Sequence, residues 1–172
     1  MDIKQAHLGL DLVYDRPLLR CRFSPDGKFA VSSSEDSTLQ RWNLESSEKV
    51  VLQGHESWVH ALQFTPDGNQ LISGGCDGRL IWWSIAEAEP KSLRVIEAHE
   101  GWIRAVALSP DGGTLASVGN DLHVRLWNTQ SGEKLAQWRA HEKHIYSVLF
   151  HPDGKQLLTG GLDGKLELWD LE

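Results

Sequence analysis

Ser24-Pro25-Asp26-Gly27 returns in this chain as Thr65-Pro66-Asp67-Gly68, Ser109-Pro110-Asp111-Gly112 and His151-Pro152-Asp153-Gly154. The prolines lie 41, 44 and 42 residues apart. Trp42, Trp83, Trp127 and Trp169 keep the same three intervals, and Asp36, Asp77, Asp121 and Asp163 each stand six residues before their tryptophan. His55, His99 and His141 each stand eleven residues before the proline of their unit. Four markers in one register make the 172-residue chain a tandem of four related units.

Around the tetrapeptide the chemistry is that of strands joined by tight turns. Proline pre-sets φ at the first central turn position, aspartate suits the second, and glycine relieves the exit. Before the turn runs Trp58-Val59-His60-Ala61-Leu62-Gln63-Phe64, and after it Gln70-Leu71-Ile72-Ser73. A corner holding Gly74, Gly75, Asp77 and Gly78 leads into Leu80-Ile81-Trp82-Trp83, and a run such as Lys49-Val50-Val51-Leu52 closes a unit. Short runs rich in β-branched and aromatic residues, bounded by turn residues, predict four strands per unit and an all-β fold. Ile85 to Lys91 has room for one helical turn ended by Pro90, which accounts for the longer interval.

A unit of four short strands at this period resembles the WD-repeat β-propeller family. Gly54-His55, Ala98-His99 and Ala140-His141 are similar to that family's opening Gly-His. Trp169-Asp170 is similar to its closing Trp-Asp, altered here to Trp42-Asn43, Trp83-Ser84 and Trp127-Asn128 in the other units. The resemblance covers nearly the whole chain and implies a single propeller unit of four blades over residues 14–53, 54–97, 98–139 and 140–172. It also implies a hydrogen-bonded network in each blade: His55, Ser73, Asp77 and Trp83; His99, Ser117, Asp121 and Trp127; His141, Thr159, Asp163 and Trp169. In the first unit Tyr14 stands at the histidine position, which leaves Ser32, Asp36 and Trp42. The chemistry is coherent: tryptophan donates one N–H, hydroxyl and imidazole each donate and accept, and carboxylate accepts.

The resemblance further implies a partner-binding face where the first strand of each blade begins. Its contact positions are two residues at that strand's start, two apart, and the residue before the network aspartate. They are Pro17, Leu19 and Glu35; Trp58, His60 and Cys76; Trp102, Arg104 and Asn120; His144, Tyr146 and Leu162. Tryptophan, tyrosine and arginine dominate binding hot spots, which points to a protein or peptide partner. Trp138, on an outer strand, reads as packing or rim.

Other classes of function find little support in the residues. A net charge of −7 argues against a broad nucleic-acid or anionic-membrane surface. No apolar stretch approaches the roughly 20 residues that span a bilayer, and the N-terminus lacks the apolar core of a signal peptide. Two cysteines, Cys21 and Cys76, at unrelated repeat positions suggest a reducing compartment and a cytoplasmic location. Ser, His and Asp together invite a hydrolase reading. Yet the set recurs three times at one spacing, and no Gly-x-Ser-x-Gly elbow occurs. No His-x-x-x-His, Cys-x-x-Cys or Gly-rich nucleotide loop is present, so neither a metal nor another cofactor is expected. The reading is thus a non-catalytic interaction scaffold. One alternative is a structural piece of a larger protein or enzyme with no binding activity of its own. Another is an enzyme or sensor domain whose titratable residues line the ring axis.

The fourth unit ends three residues after Trp169, without an outer strand. Leu8-Gly9-Leu10-Asp11-Leu12-Val13 lies where outer strands lie in the other units, so residues 1–13 are expected to complete a last blade, as the family's ring closure does. Four blades of ordinary family residues suggest half of an eight-bladed ring, closed by a second chain as a homodimer with each N-terminal strand completing the other's blade. An excised piece of a longer propeller is the second reading, and a four-bladed monomer the third.

Overall fold

The fifteen strands begin and end at the turn residues of the repeat. They form four antiparallel sheets in a computed structural model that describes residues 7–171. Blade 1 holds β1 (Leu18–Phe23), β2 (Phe29–Ser34), β3 (Leu39–Asn43) and β4 (Lys49–Leu52). Blade 2 holds β5 (Val59–Phe64), β6 (Gln70–Gly75), β7 (Arg79–Ser84) and β8 (Ser92–Glu97). Blade 3 holds β9 (Ile103–Leu108), β10 (Thr114–Gly119), β11 (His123–Asn128) and β12 (Lys134–Arg139). Blade 4 has three: β13 (Ile145–Phe150), β14 (Gln156–Gly161) and β15 (Leu166–Asp170). Each sheet is a meander in sequence order.

The Pro-Asp-Gly turns join the first two strands of each blade. Gly27, Gly68, Gly112 and Gly154 all take φ between 72° and 77°, the left-handed region that only glycine enters without cost. In three of the turns a hydroxyl two residues before the aspartate bonds its carboxylate, as Thr65 does to Asp67 at 2.6 Å.

The inner strands pack side by side, β1 on β5, β5 on β9 and β9 on β13. Each first strand carries an irregularity near its start, for example between Val59 and Ala61, which resets the alternation. Val59, Leu62 and Phe64 therefore face blade 1, and Ala61 faces blade 3. Apolar clusters fill each joint, with Leu71, Ile81 and Trp83 in the first and Leu80, Trp82 and Ile103 in the second. A polar clasp repeats across two joints. Trp82, just before Trp83, donates its Nε1–H to the carbonyl of Thr129 at 3.1 Å. Arg41, just before Trp42, donates to the carbonyl of Ile85 at 2.7 Å and to those of Glu87 and Ala88. Those carbonyls lie in the segment expected to form a helical turn. It forms bends over residues 86–89 instead, because the guanidinium takes the oxygens that a helix would use internally.

No comparable packing joins β13 back to β1 among the described residues, so the arc is open. The repeat makes its ends measurable. Leu166 is 70% exposed, whereas Leu39, Leu80 and Val124 at the same repeat position are 0% exposed. Leu18 is 46% exposed, whereas Val59, Ile103 and Ile145 are 0% exposed. Residues 7–13 form no strand within the single chain, where the edge they are expected to cover belongs to another copy; residues 1–6 of that expected segment lie outside the described residues. The edge of β15 lies at the far end of the open arc, so a ladder within one chain has no partner to build on.

Candidate functional site

Two sets of residues carry the polar chemistry of the blades. The first is the internal network. In blade 2 the Asp77 carboxylate accepts the Nδ1–H of His55 at 2.9 Å. This leaves Nε2 to accept the Ser73 hydroxyl at 2.7 Å, while Ser73 Oγ accepts the Trp83 indole N–H at 2.8 Å. Blade 3 repeats this through Asp121, His99, Ser117 and Trp127, and blade 4 through Asp163, His141, Thr159 and Trp169. Asp77 also accepts the backbone N–H of Glu56 and of Arg79, so it pins the start of the blade to the β6–β7 turn.

Blade 1 completes the same path by other means. Trp42 donates to Ser32 at 3.0 Å, and Ser32 donates to Gln40 Oε1 at 3.0 Å. Gln40 Nε2 donates to Thr38, whose hydroxyl donates to Asp36 at 2.7 Å; the Tyr14 hydroxyl reaches Asp36 at 2.6 Å. Gln40 and Thr38 together span what one imidazole spans elsewhere. The sequence reading left this blade with Ser32, Asp36 and Trp42 alone. The missed signal is a glutamine at the third-strand position that holds Ile81 in blade 2.

Burial shifts the acid–base balance of the network. It pushes the Asp121 carboxyl up, but the hydrogen bond and charge of His99, with Arg125, outweigh it and hold the group well below the usual carboxylate range. Asp77 is likewise held low by His55 against the cost of burial. Burial pushes the His99 imidazole down, and Asp121 only partly restores it. The side chains of His55, His99 and His141 are at most 1% exposed, and Ser73, Ser117 and Thr159 are 0% exposed. The triad-like order is therefore sealed from any substrate, and each hydroxyl already accepts an indole N–H. Its role is to satisfy buried polar groups and fix the packing.

The second set lies where the inner strands begin. In every blade the residue before the network aspartate donates its N–H to the carbonyl at the strand start. The pairs are Glu35 to Pro17, Cys76 to Trp58, Asn120 to Trp102 and Leu162 to His144, at 2.7–3.1 Å. One backbone bond thus gathers positions about eighteen residues apart. Across blades 2 to 4 the side chains form a continuous row. The His60 ring lies edge-on to Trp58 at 6.5 Å and 6.1 Å from Trp102. The Arg104 guanidinium sits 4.4 Å over Trp102 and 5.1 Å over Tyr146, held by Asn120 Oδ1 at 2.9 Å from Nε. Trp58, Trp102 and Tyr146 are 43%, 39% and 46% exposed, and Leu162 is 52% exposed. Pro17 and Glu35 are exposed and Leu19 is half-buried, but none of the three joins the row; His144 is half-buried beside it. Cys76 departs from expectation. It is buried beneath the row, where burial also raises its thiol pKa, so it supports the face rather than presenting a contact. Trp138 packs on Trp169 at 5.6 Å between ring centroids. Among the described residues no cluster of His, Cys, Asp and Glu is arranged to hold a metal ion.

A profile of the family described as WD domain, G-beta repeat matches residues 14–43, 46–84, 90–128 and 132–170. Among curated proteins, human WD repeat and SOCS box-containing protein 1 is 35% identical over 88 residues, 49% of this chain and 21% of that protein. Danio rerio apoptotic protease-activating factor 1 is 34% identical over 85 residues, 48% of this chain and 7% of that protein. Small ribosomal subunit protein RACK1y of Oryza sativa subsp. japonica is 37% identical over 71 residues, 40% of this chain and 21% of that protein. The aligned segment spans about a fifth or less of each of these relatives.

Proposed function

The chain belongs to the WD-repeat family, whose domains generally mediate protein–protein interactions without catalysis, and from that premise we propose that it is a non-catalytic scaffold holding a protein or peptide on the face where the inner strands begin. The observation that carries this reading is the row Trp58–His60–Trp102–Arg104–Tyr146. These are large, partly exposed rings and a guanidinium, fixed by stacking and by the strand-start hydrogen bonds. Pre-ordered aromatic and arginine anchors lose little freedom on binding. A partner is expected to contact Trp58, Trp102, Arg104, Tyr146 and Leu162, with His144, Asn120, Pro17, Leu19 and Glu35 at the margin. No helix among the described residues is long and apolar enough to cross a membrane. A cytoplasmic location is part of the same reading.

The test is affinity capture of partners from a lysate with the intact chain and with Trp58→Ala/Trp102→Ala. The double variant is expected to melt as the parent does and to lose its partners. A folded double variant that keeps them all overturns the contact-face assignment.

A second observation supports an assembly state. The face left open on blade 4 (Leu149, Leu166 and Leu168) matches in repeat position the face blade 3 buries against blade 4. The face left open on blade 1 (Leu18 and Phe23) matches the face blade 4 buries against blade 3. The two ends are thus complementary by construction, and a second copy closes an eight-bladed ring in which residues 8–13 of each chain cover the other's β15 edge.

A further inference from the structure

At the joints between blades 2 and 3 and between blades 3 and 4, the inner strands present small or neutral residues toward the next blade: Ala61 and Gln63 on β5, Ala105 and Ala107 on β9. On β1 the same repeat positions hold Arg20 and Arg22. Both are exposed, and they line a cavity of about 240 Å³ with His60, Arg104 and Tyr146, so that all four inner strands contribute to its wall. No carboxylate lines it. By contrast, Arg79 pairs with Glu56 and Glu97, Arg125 pairs with Asp121, and Arg41 donates to backbone carbonyls. Among the described residues Arg20, Arg22 and Arg104 have no carboxylate at ion-pair distance. Arg20 donates only to the carbonyl of its neighbour Leu19, and Arg104 only to Asn120. His60 keeps a buried Nδ1 without a hydrogen-bond partner. Three unpaired guanidinium groups in one cavity, in a chain of net charge −7, form a local site of positive potential.

We propose that this cavity seats the anionic side chain of an acidic peptide segment, with Arg20, Arg22 and Arg104 as its charge partners. The inference rests on the scaffold reading and narrows its partner to acidic sequences. Size favours a side chain over a free ligand, since small-molecule sites run to roughly 300–1,000 Å³. The adjoining Trp102 and Tyr146 offer apolar contact to the rest of such a peptide. The 24 acidic residues of the chain disfavour a long polyanion such as nucleic acid. Planar guanidinium groups take carboxylate and phosphate alike, so a glutamate and a phosphoserine share the chemistry.

The experiment is fluorescence-anisotropy titration of the intact chain with labelled dodecapeptides that share one Tyr/Leu frame. They carry three glutamates, three phosphoserines or three lysines. A random-peptide display selection on the same chain accompanies it. The expected result is an acidic peptide bound about ten-fold or more tighter than the lysine peptide, with affinity falling as salt rises. Arg20→Ala and Arg22→Ala weaken it about five-fold each, Arg20→Lys weakens it less, and Arg139→Ala on β12 leaves it unchanged. Thermal melts confirm that the variants fold. A glutamate preference assigns the site to carboxylate, a phosphoserine preference assigns it to phosphate, and equal affinity supports a site for either anionic side chain. Selected peptides without acidic enrichment overturn this inference and leave the scaffold reading standing. A selection that yields no peptide at all overturns both. Preference for a dT oligonucleotide over the acidic peptides also overturns the acidic-peptide site.

Discussion

The His99 imidazole sits between the Asp121 carboxylate and the Ser117 hydroxyl with its side chain fully buried, and its neutral form is the one the packing accepts. Burial lowers its pKa from the ordinary 6.5, so the unfolded chain binds more protons there than the folded one once pH falls below that value. His60, lowered by burial and by Arg20 and Arg104, acts in the same direction. The depressed carboxyls of Asp77 and Asp121 contribute stability that is complete above their ordinary 3.8 and is lost as pH falls through their lower folded values. Thermal melts across pH are therefore expected to show the midpoint falling below about pH 6.5 and again, more steeply, below about pH 4. His99→Ala should destabilise the fold by about 1–3 kcal/mol at neutral pH, by leaving Ser117 and Asp121 short of a partner, and should flatten the first decline. A melt indifferent to pH between 7 and 5 and to His99→Ala would refute the network's role.

At the scale of elements, the corner after each network aspartate requires one left-handed residue. Gly78 and Gly164 supply it at φ 79°, but Ser37 and Leu122 stand at the same repeat position with φ 69° and 71°. A leucine held there carries strain of about 1 kcal/mol or somewhat more. Leu122→Gly is thus expected to raise the stability of the β10–β11 corner by up to about 1 kcal/mol, read as a higher denaturant midpoint at unchanged slope. A lower midpoint would show that Leu122 contributes packing worth more than its backbone costs. Much at this scale is legible in the sequence. Pro-Asp-Gly and the Gly/Asp corner bracket each strand, because turn chemistry is local. The bends after Ile85 are not legible, since they are set by Arg41, 44 residues upstream on a neighbouring blade. Nor is the burial of Cys76, whose repeat position is exposed in blade 4 as Leu162.

For the whole molecule the open arc is the decisive feature. Phe23 is 71% exposed where Phe64 is 6%, and Leu168 is 58% exposed where Trp82 is 0%. Two apolar blade faces of this kind demand cover. Light scattering on a sizing column should give twice the 19.3 kDa of the chain, and Leu166→Asp or Phe23→Asp should return it to a single chain that binds an apolar dye. A monodisperse 19.3 kDa species in the parent would overturn ring closure by a second copy.

The repeat, the all-β blades, the family and the residues that share a register can all be read from the chain, because each follows from local turn chemistry or from spacing along it. Tertiary structure alone decided how Gln40 and Thr38 replace a histidine and how one row runs from Trp58 to Tyr146. It also decided which apolar faces stay open and where Arg20 and Arg22 meet Arg104. Those outcomes depend on how neighbouring blades pack and where the strand irregularities reset the alternation, and no spacing within one unit encodes the distance between residues of two.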